Sequence, residues 1–139
     1  MTEKTKILVV DDEEIVRLSY FRTLSGEHCN VEVVNCGDAA LQVMNEKAFD
    51  VVLLDLRMPG MDGMTVLKTI KRNWPESEVI IITGYPEVAS AKEAVTLGAY
   101  DYLAKPAGPD DVIQVANAAV VHKRWLLRGS QLPHNVTMQ

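Results

Sequence analysis

Apolar side chains gather along the chain into five short runs: Ile7 to Val10, Val31 to Val34, Val51 to Leu54, Val79 to Ile82 and the weaker Tyr100 to Leu103. The three strongest are β-branched and continuous rather than alternating, the pattern of strands covered on both faces in a parallel sheet. Between the runs the period lengthens to that of a helix. Glu13 to Ser25 carries Val16, Tyr20 and Leu24 and stops near Gly26; Asp38 to Lys47 carries Ala40, Val43 and Met44; Gly63 to Asn73 carries Val66, Leu67 and Ile70. A fourth helix is predicted from Pro86 to Leu97, closed by Gly98, which suits a left-handed C-terminal cap. The fifth opens at Pro109, with Asp110 and Asp111 in its first turn and Lys123, Arg124 and Arg128 before Gly129, charges that complement the helix dipole at both ends. Strand and helix alternating five times predict a doubly wound, open α/β sheet with right-handed crossovers.

Composition narrows the class. The 139 residues suit one domain, and 47% apolar content supports a packed core rather than a disordered chain. The 14 Lys and Arg set against 19 Asp and Glu give a net charge of −5 without a basic stripe, which argues against direct nucleic-acid binding. Runs such as Val51 to Leu54 fall far short of the roughly 20 apolar residues of a membrane helix, and the charged opening Met1 to Lys6 lacks the apolar stretch of a signal peptide. A cytoplasmic location without membrane contact is the expectation. Cys29 and Cys36, with His28, His122 and His134 scattered, fit neither a disulfide framework nor a zinc site.

In open parallel sheets ligands bind beyond the carboxyl ends of the strands, where the strand order reverses. The residues in that position are Asp11 and Asp12 after the first run, Asp55 after the third, Thr83 and Gly84 ending the fourth, and Lys105 and Pro106 after the fifth. Each alone has a bland explanation: a helix cap, a turn former, a strand threonine, a solvated lysine. Their joint placement on one rim does not. Carboxylates crowded without Cys or His favour a hard cation, magnesium first and manganese as the alternative. The Thr83 hydroxyl and Lys105 ammonium suit a phosphoryl group, Asp55 is a carboxylate able to form an acyl phosphate, and Gly84 leaves room beside it.

These residues, with the loop Asp55-Leu56-Arg57-Met58-Pro59-Gly60-Met61-Asp62-Gly63 and the stretch Gly98 to Pro106, closely resemble the receiver domain of bacterial two-component response regulators. The resemblance spans residues 5 to about 125 and implies a flavodoxin-like (βα)5 sheet of strand order 2-1-3-4-5, with 1–129 as the domain and 130–139 as a frayed tail or the start of a linker. It implies a signalling switch rather than an enzyme acting on other substrates. Asp55 would accept a phosphoryl group from a sensor histidine kinase or phosphotransfer protein. Asp12 would be a direct magnesium ligand, Asp11 would hold a coordinated water, and Asp55 and the Arg57 carbonyl would complete the protein ligands. Thr83 would be the switch hydroxyl, Tyr102 the aromatic that turns inward, and Lys105 the phosphate contact, with a cis bond to Pro106. The fourth helix, fifth strand and fifth helix would form the face read by an output domain or downstream protein. Arg57 and Tyr85 occupy positions that tune phosphate lifetime, and the phrase from Gly98 to Pro106 is similar to receivers of the enhancer-binding transcription activators.

Rival readings fit less well. A phosphohydrolase resembling the haloacid dehalogenases needs Asp-x-Asp after its first strand, whereas Asp11 and Asp12 are adjacent. A flavin-mononucleotide carrier would place a Ser/Thr/Gly-rich loop there, not two aspartates. The last helix, about 20 residues or about 30 Å from Pro109, is longer than a small sheet needs. Val120, Val121, Trp125, Leu126 and Leu127 near its end predict a homodimer contact or a linker helix rather than more core.

Overall fold

A computed structural model describes residues 4–129. The proposed tail at 130–139 lies outside the described residues. Strands β1 (Thr5–Val10), β2 (Cys29–Val34), β3 (Val51–Leu54), β4 (Glu78–Thr83) and β5 (Asp101–Ala104) alternate with helices α1 (Glu14–Leu24), α2 (Gly37–Glu46), α3 (Gly63–Asn73), α4 (Val88–Thr96) and α5 (Pro109–Gly129). All strand pairings are parallel, in the order β2-β1-β3-β4-β5, the doubly wound sheet that the alternation predicts in the flavodoxin-like order that the resemblance implies.

Continuous apolar strands split by parity, because successive side chains point to opposite faces of a sheet. Leu8, Val10, Val52, Leu54, Val79 and Ile81 pack against α2 through Ala40 and Met44, α3 through Val66, Leu67 and Ile70, and α4 through Ala94. Ile7, Val9, Val51, Leu53, Ile80 and Ile82 pack on the other face against Tyr20 and Leu24 of α1 and Val112, Val115, Ala116 and Ala119 of α5. Burying one such aliphatic side chain contributes about 1.5–3 kcal/mol, so β1, β3 and β4 form the rigid centre. Helix α4 is seated more lightly: Ala94 is its buried residue, while Val88 and Val95 are exposed.

Several boundaries move from the sequence expectation for local reasons. Helix α4 begins at Val88, two residues after Pro86, because Glu87 is still extended at φ −136° and ψ 143°. Its far end closes as expected, with Gly98 at φ +103°, a conformation that costs a Cβ-bearing residue energy. Strand β5 is shifted one residue later than the Tyr100 to Leu103 run and is only partly buried, as an edge strand is. Helix α5 runs unbroken to Gly129. Val120 packs against the core, but Trp125 stands 55% exposed, so the apolar end of the helix does not fold back onto the domain as a unit.

Candidate functional site

Backbone bonds continue one residue past the strands and fix the rim. Asp11 donates its N–H to the Val34 carbonyl (3.2 Å), Asp55 to Val10 (3.0 Å) and Lys105 to Thr83 (2.7 Å). The ends of β1, β3, β4 and β5 thereby present Asp11, Asp55, Thr83 and Lys105 together, at the β1–β3 neighbourhood where the strand order reverses. Gly63, the first residue of α3, supports this from below. A Cβ there would lie 2.5 Å from Leu56 Cα and 2.8 Å from the Asp55 carbonyl oxygen, so only glycine lets α3 start directly under the loop that follows Asp55.

Lys105 Nζ is the hub. It lies 2.8 Å from Asp11 Oδ2, 3.2 Å from Asp55 Oδ2 and 3.5 Å from Glu13 Oε1. Asp11 and Asp55 are buried while Asp12 and Glu13 are open to solvent. Asp11 Oδ1 accepts the Glu13 N–H at 2.9 Å, and Arg17 donates to the Asp11 carbonyl at 2.8 Å. Asp55 Oδ1 accepts the Arg57 N–H at 3.2 Å. Burial pushes the Asp55 carboxyl above its ordinary value, against the pull of Lys105 and the Arg57 N–H, with Asp11 adding to the rise. Burial works against the charged form of Lys105 too, but the Asp11 and Asp55 carboxylates outweigh it and hold the ammonium well above its usual range. Burial likewise raises the phenol of neighbouring Tyr20.

Carboxylate oxygens of Asp11, Asp12, Glu13 and Asp55 lie within 4.8 Å of one another. Four carboxylates against one lysine leave an excess of negative charge in an all-oxygen donor set, which fits a hard divalent cation. Asp11, Asp12, Glu13 and Asp55 are the side chains that could hold it. Glu13, at a predicted helix start, joins the cluster. The unbroken acidic run Asp11-Asp12-Glu13-Glu14 is the signal that the sequence offers for it.

The remaining candidates sit around this centre rather than in it. Thr83 is fully buried, and its Oγ1 accepts the Tyr85 N–H at 3.1 Å. Tyr102 lies on β5 with its Oη accepting the Glu87 N–H at 3.3 Å. The Lys105–Pro106 peptide is cis. Arg57 turns its side chain away from Asp55 to lie 4.3 Å over the Tyr85 ring and pair with Glu87 at 3.3 Å. A Cβ at Gly84 would meet Lys105 Cδ at an ordinary 3.9 Å.

Comparison with known proteins agrees with this geometry. Residues 7–117 match the family model of the response regulator receiver domain. The chain is 36% identical over 132 residues to the DNA-binding transcriptional regulator NtrC of Escherichia coli (strain K12), covering 95% of this chain and 27% of that protein. It is 41% identical over 116 residues to the transcriptional regulatory protein ZraR of the same organism, covering 84% of this chain and 26% of that one. A crystal structure of NtrX from Brucella abortus superposes with a TM-score of 0.88 at 33% identity, over 98% of this chain and 32% of the other. The chain thus spans about a quarter of the length of the curated relatives it matches. On the family match, the relatives and the rim of acidic and basic residues together, the chain belongs to the response regulator receiver domains of two-component systems.

Proposed function

We propose that this chain is a phosphorylation-dependent switch that accepts a phosphoryl group on Asp55 from the phosphohistidine of a sensor kinase or phosphotransfer protein. The observation that carries the reading is the placement of Lys105 Nζ between two buried carboxylates, 2.8 Å from Asp11 and 3.2 Å from Asp55. An Asp55 oxygen attacks phosphorus, the O–P bond forms as the donor's N–P bond breaks, and the electron pair leaves with the donor imidazole. Lys105 meets the charge developing on the phosphoryl oxygens. Asp11 and Asp12 complete an acidic wall, and a magnesium ion bound there would neutralise part of the phosphoryl charge. Manganese, also a hard oxygen-seeking ion, is the alternative.

Conversion of the acceptor to an acyl phosphate gives the Thr83 hydroxyl a new acceptor. Its movement would end its bond to the Tyr85 N–H and open space that Tyr102 enters from the β5 edge. The face of α4, β5 and α5 then changes, and α4, with Ala94 as its buried residue, is the helix least anchored against such a change. An output domain or downstream protein would read that face in the cytoplasm. Among the described residues no helix is long and apolar enough to cross a membrane. Control of an enhancer-binding output is the form this takes if the chain works as part of a protein organised like NtrC.

Incubation of the chain with acetyl phosphate and magnesium, followed by intact mass, tests the assignment. One phosphoryl adduct, labile to hydroxylamine and absent from Asp55→Asn, is expected. An undiminished adduct on Asp55→Asn would refute Asp55 as the acceptor.

A further inference from the structure

Next to the acceptor, one set of side chains staples two loops together. Arg57 belongs to the β3–α3 loop, and its backbone N–H donates to Asp55 Oδ1. Its guanidinium reaches across to the β4–α4 loop, 4.3 Å over the Tyr85 ring and 3.3 Å from Glu87 Oε1. Glu87 meanwhile donates its backbone N–H to Tyr102 Oη, and Tyr85 donates its own to Thr83 Oγ1. Glu87 also stands at the N-cap of α4, where a side-chain oxygen ordinarily takes an N–H of the first turn. It makes no such bond; its carboxylate is turned to Arg57 instead.

Both partners of that ion pair are 59% exposed, so burial holds neither side chain in place. An exposed pair in water is weakly attractive, and a cation over an aromatic ring adds a comparable amount. A phosphoryl group offers the guanidinium more: a charge of about −2 and oxygens that suit its planar fork. Arg57 is two residues from Asp55 in the chain, so a phosphoryl group on Asp55 competes with Glu87 for it.

We propose that Arg57 is a positioning residue that exchanges partners on phosphorylation, leaving Tyr85 and Glu87 for the phosphoryl oxygens and so freeing the Glu87 segment that holds the Tyr102 hydroxyl. The exchange rests on the acceptor reading above, and it gives the site a second route to Tyr102 beside Thr83. Glu87 is the resting dock whose strength sets the threshold of the switch.

The experiment titrates beryllofluoride, a phosphoryl mimic, at fixed magnesium into the chain labelled with 3-fluorotyrosine, following the Tyr102 resonance identified by Tyr102→Phe. Glu87→Gln weakens the dock and should lower the midpoint about twofold to fivefold, the span of an exposed ion pair. In an Arg57→Ala background the same Glu87→Gln change should have no effect, because the competing arm is gone. Without beryllofluoride, Glu87→Gln and Arg57→Ala should shift the Tyr102 resonance alike, and the double variant should shift it no further. A midpoint unmoved by Glu87→Gln, or moved equally with and without Arg57, would overturn the exchange while leaving the acceptor assignment standing. A wild-type Tyr102 resonance that does not respond at all would likewise overturn the exchange, whereas the acceptor assignment falls only if Asp55→Asn still takes up the phosphoryl group.

Discussion

Replacing Lys105 with methionine isolates what the central amine does for the fold. Its Nζ is the cation shared by Asp11 and Asp55, whose side chains are 3% and 5% exposed, while its own is 15% exposed. Removing one member of a buried ion pair typically costs about 3–5 kcal/mol, because the partner charge stays buried without compensation. Here two carboxylates lose the same partner, but water can follow through the partly open lysine position. Lys105→Met is therefore expected to lose about 2–3 kcal/mol at neutral pH in metal-free buffer, at or just below the lower end of that range. At roughly 2–4 °C per kcal/mol for a domain of this size, the melting temperature falls by about 4–12 °C.

Acid should reverse part of that loss. Burial already raises the Asp55 carboxyl, and Lys105 is the strongest influence opposing the rise. Without the amine the folded-state value climbs further above the unfolded one. A carboxyl raised in the folded state stabilises when protonated, and that stability is lost as pH rises through the folded value. The deficit of Lys105→Met should accordingly shrink as the pH falls from neutrality into the mildly acidic range. Thermal unfolding of wild type, Lys105→Met, Asp55→Asn and the double variant in a chelator at both pH values provides the test. The double variant should recover at least half of the loss. A Lys105→Met protein that melts with the wild type at neutral pH, or a double variant no more stable than Lys105→Met, would refute the bridging role.

Gly63→Ala should lower the melting temperature, although alanine is the better helix former by about 1 kcal/mol. The added Cβ meets the backbone of Leu56 and Asp55 at 2.5–2.8 Å, and such overpacking costs about 1–3 kcal/mol. Equal or higher stability in thermal unfolding would show that α3 can retreat at no cost. At the other end of the chain, Val121 and Trp125 lie one turn apart on α5 and are 52% and 55% exposed, the pattern of a contact between two copies. Sedimentation should show concentration-dependent self-association that Trp125→Glu removes, and a monomer at every concentration would end that proposal.

What was legible in the sequence was whatever depends on a residue and its near neighbours. Val51 to Leu54 and Val79 to Ile82 are buried on both faces because each side chain in them is apolar, so no register decision was needed to recognise the centre of the sheet. The rim followed from the same logic, since a polar residue directly after such a run must sit at its carboxyl end. Helix α4 starts at Val88 rather than at Pro86 because the backbone stays extended through Glu87, whose N–H is donated to Tyr102 Oη on β5. That contact joins residues 15 apart, and no local pattern encodes it.

Glu78 shows the same limit more sharply. It opens β4 as a charged residue that is almost wholly buried, a placement that composition and periodicity argue against. Its carboxylate is sustained by Lys71 at 3.7 Å and by the His122 ring, 44 residues away on α5. The adjacent Lys123 pairs with Asp50 at 2.6 Å. These two pairs tie α5 to the amino edge of the sheet, opposite the rim that carries Asp55. They explain how one helix can contribute Val112, Val115, Ala116 and Ala119 to the core and still carry Trp125 into solvent two turns later. Hydrophobic periodicity could foresee the buried stretch of α5 and its apolar end, but not the acid–base ties between them. Those ties fix the direction in which the far end of α5 runs out from the sheet.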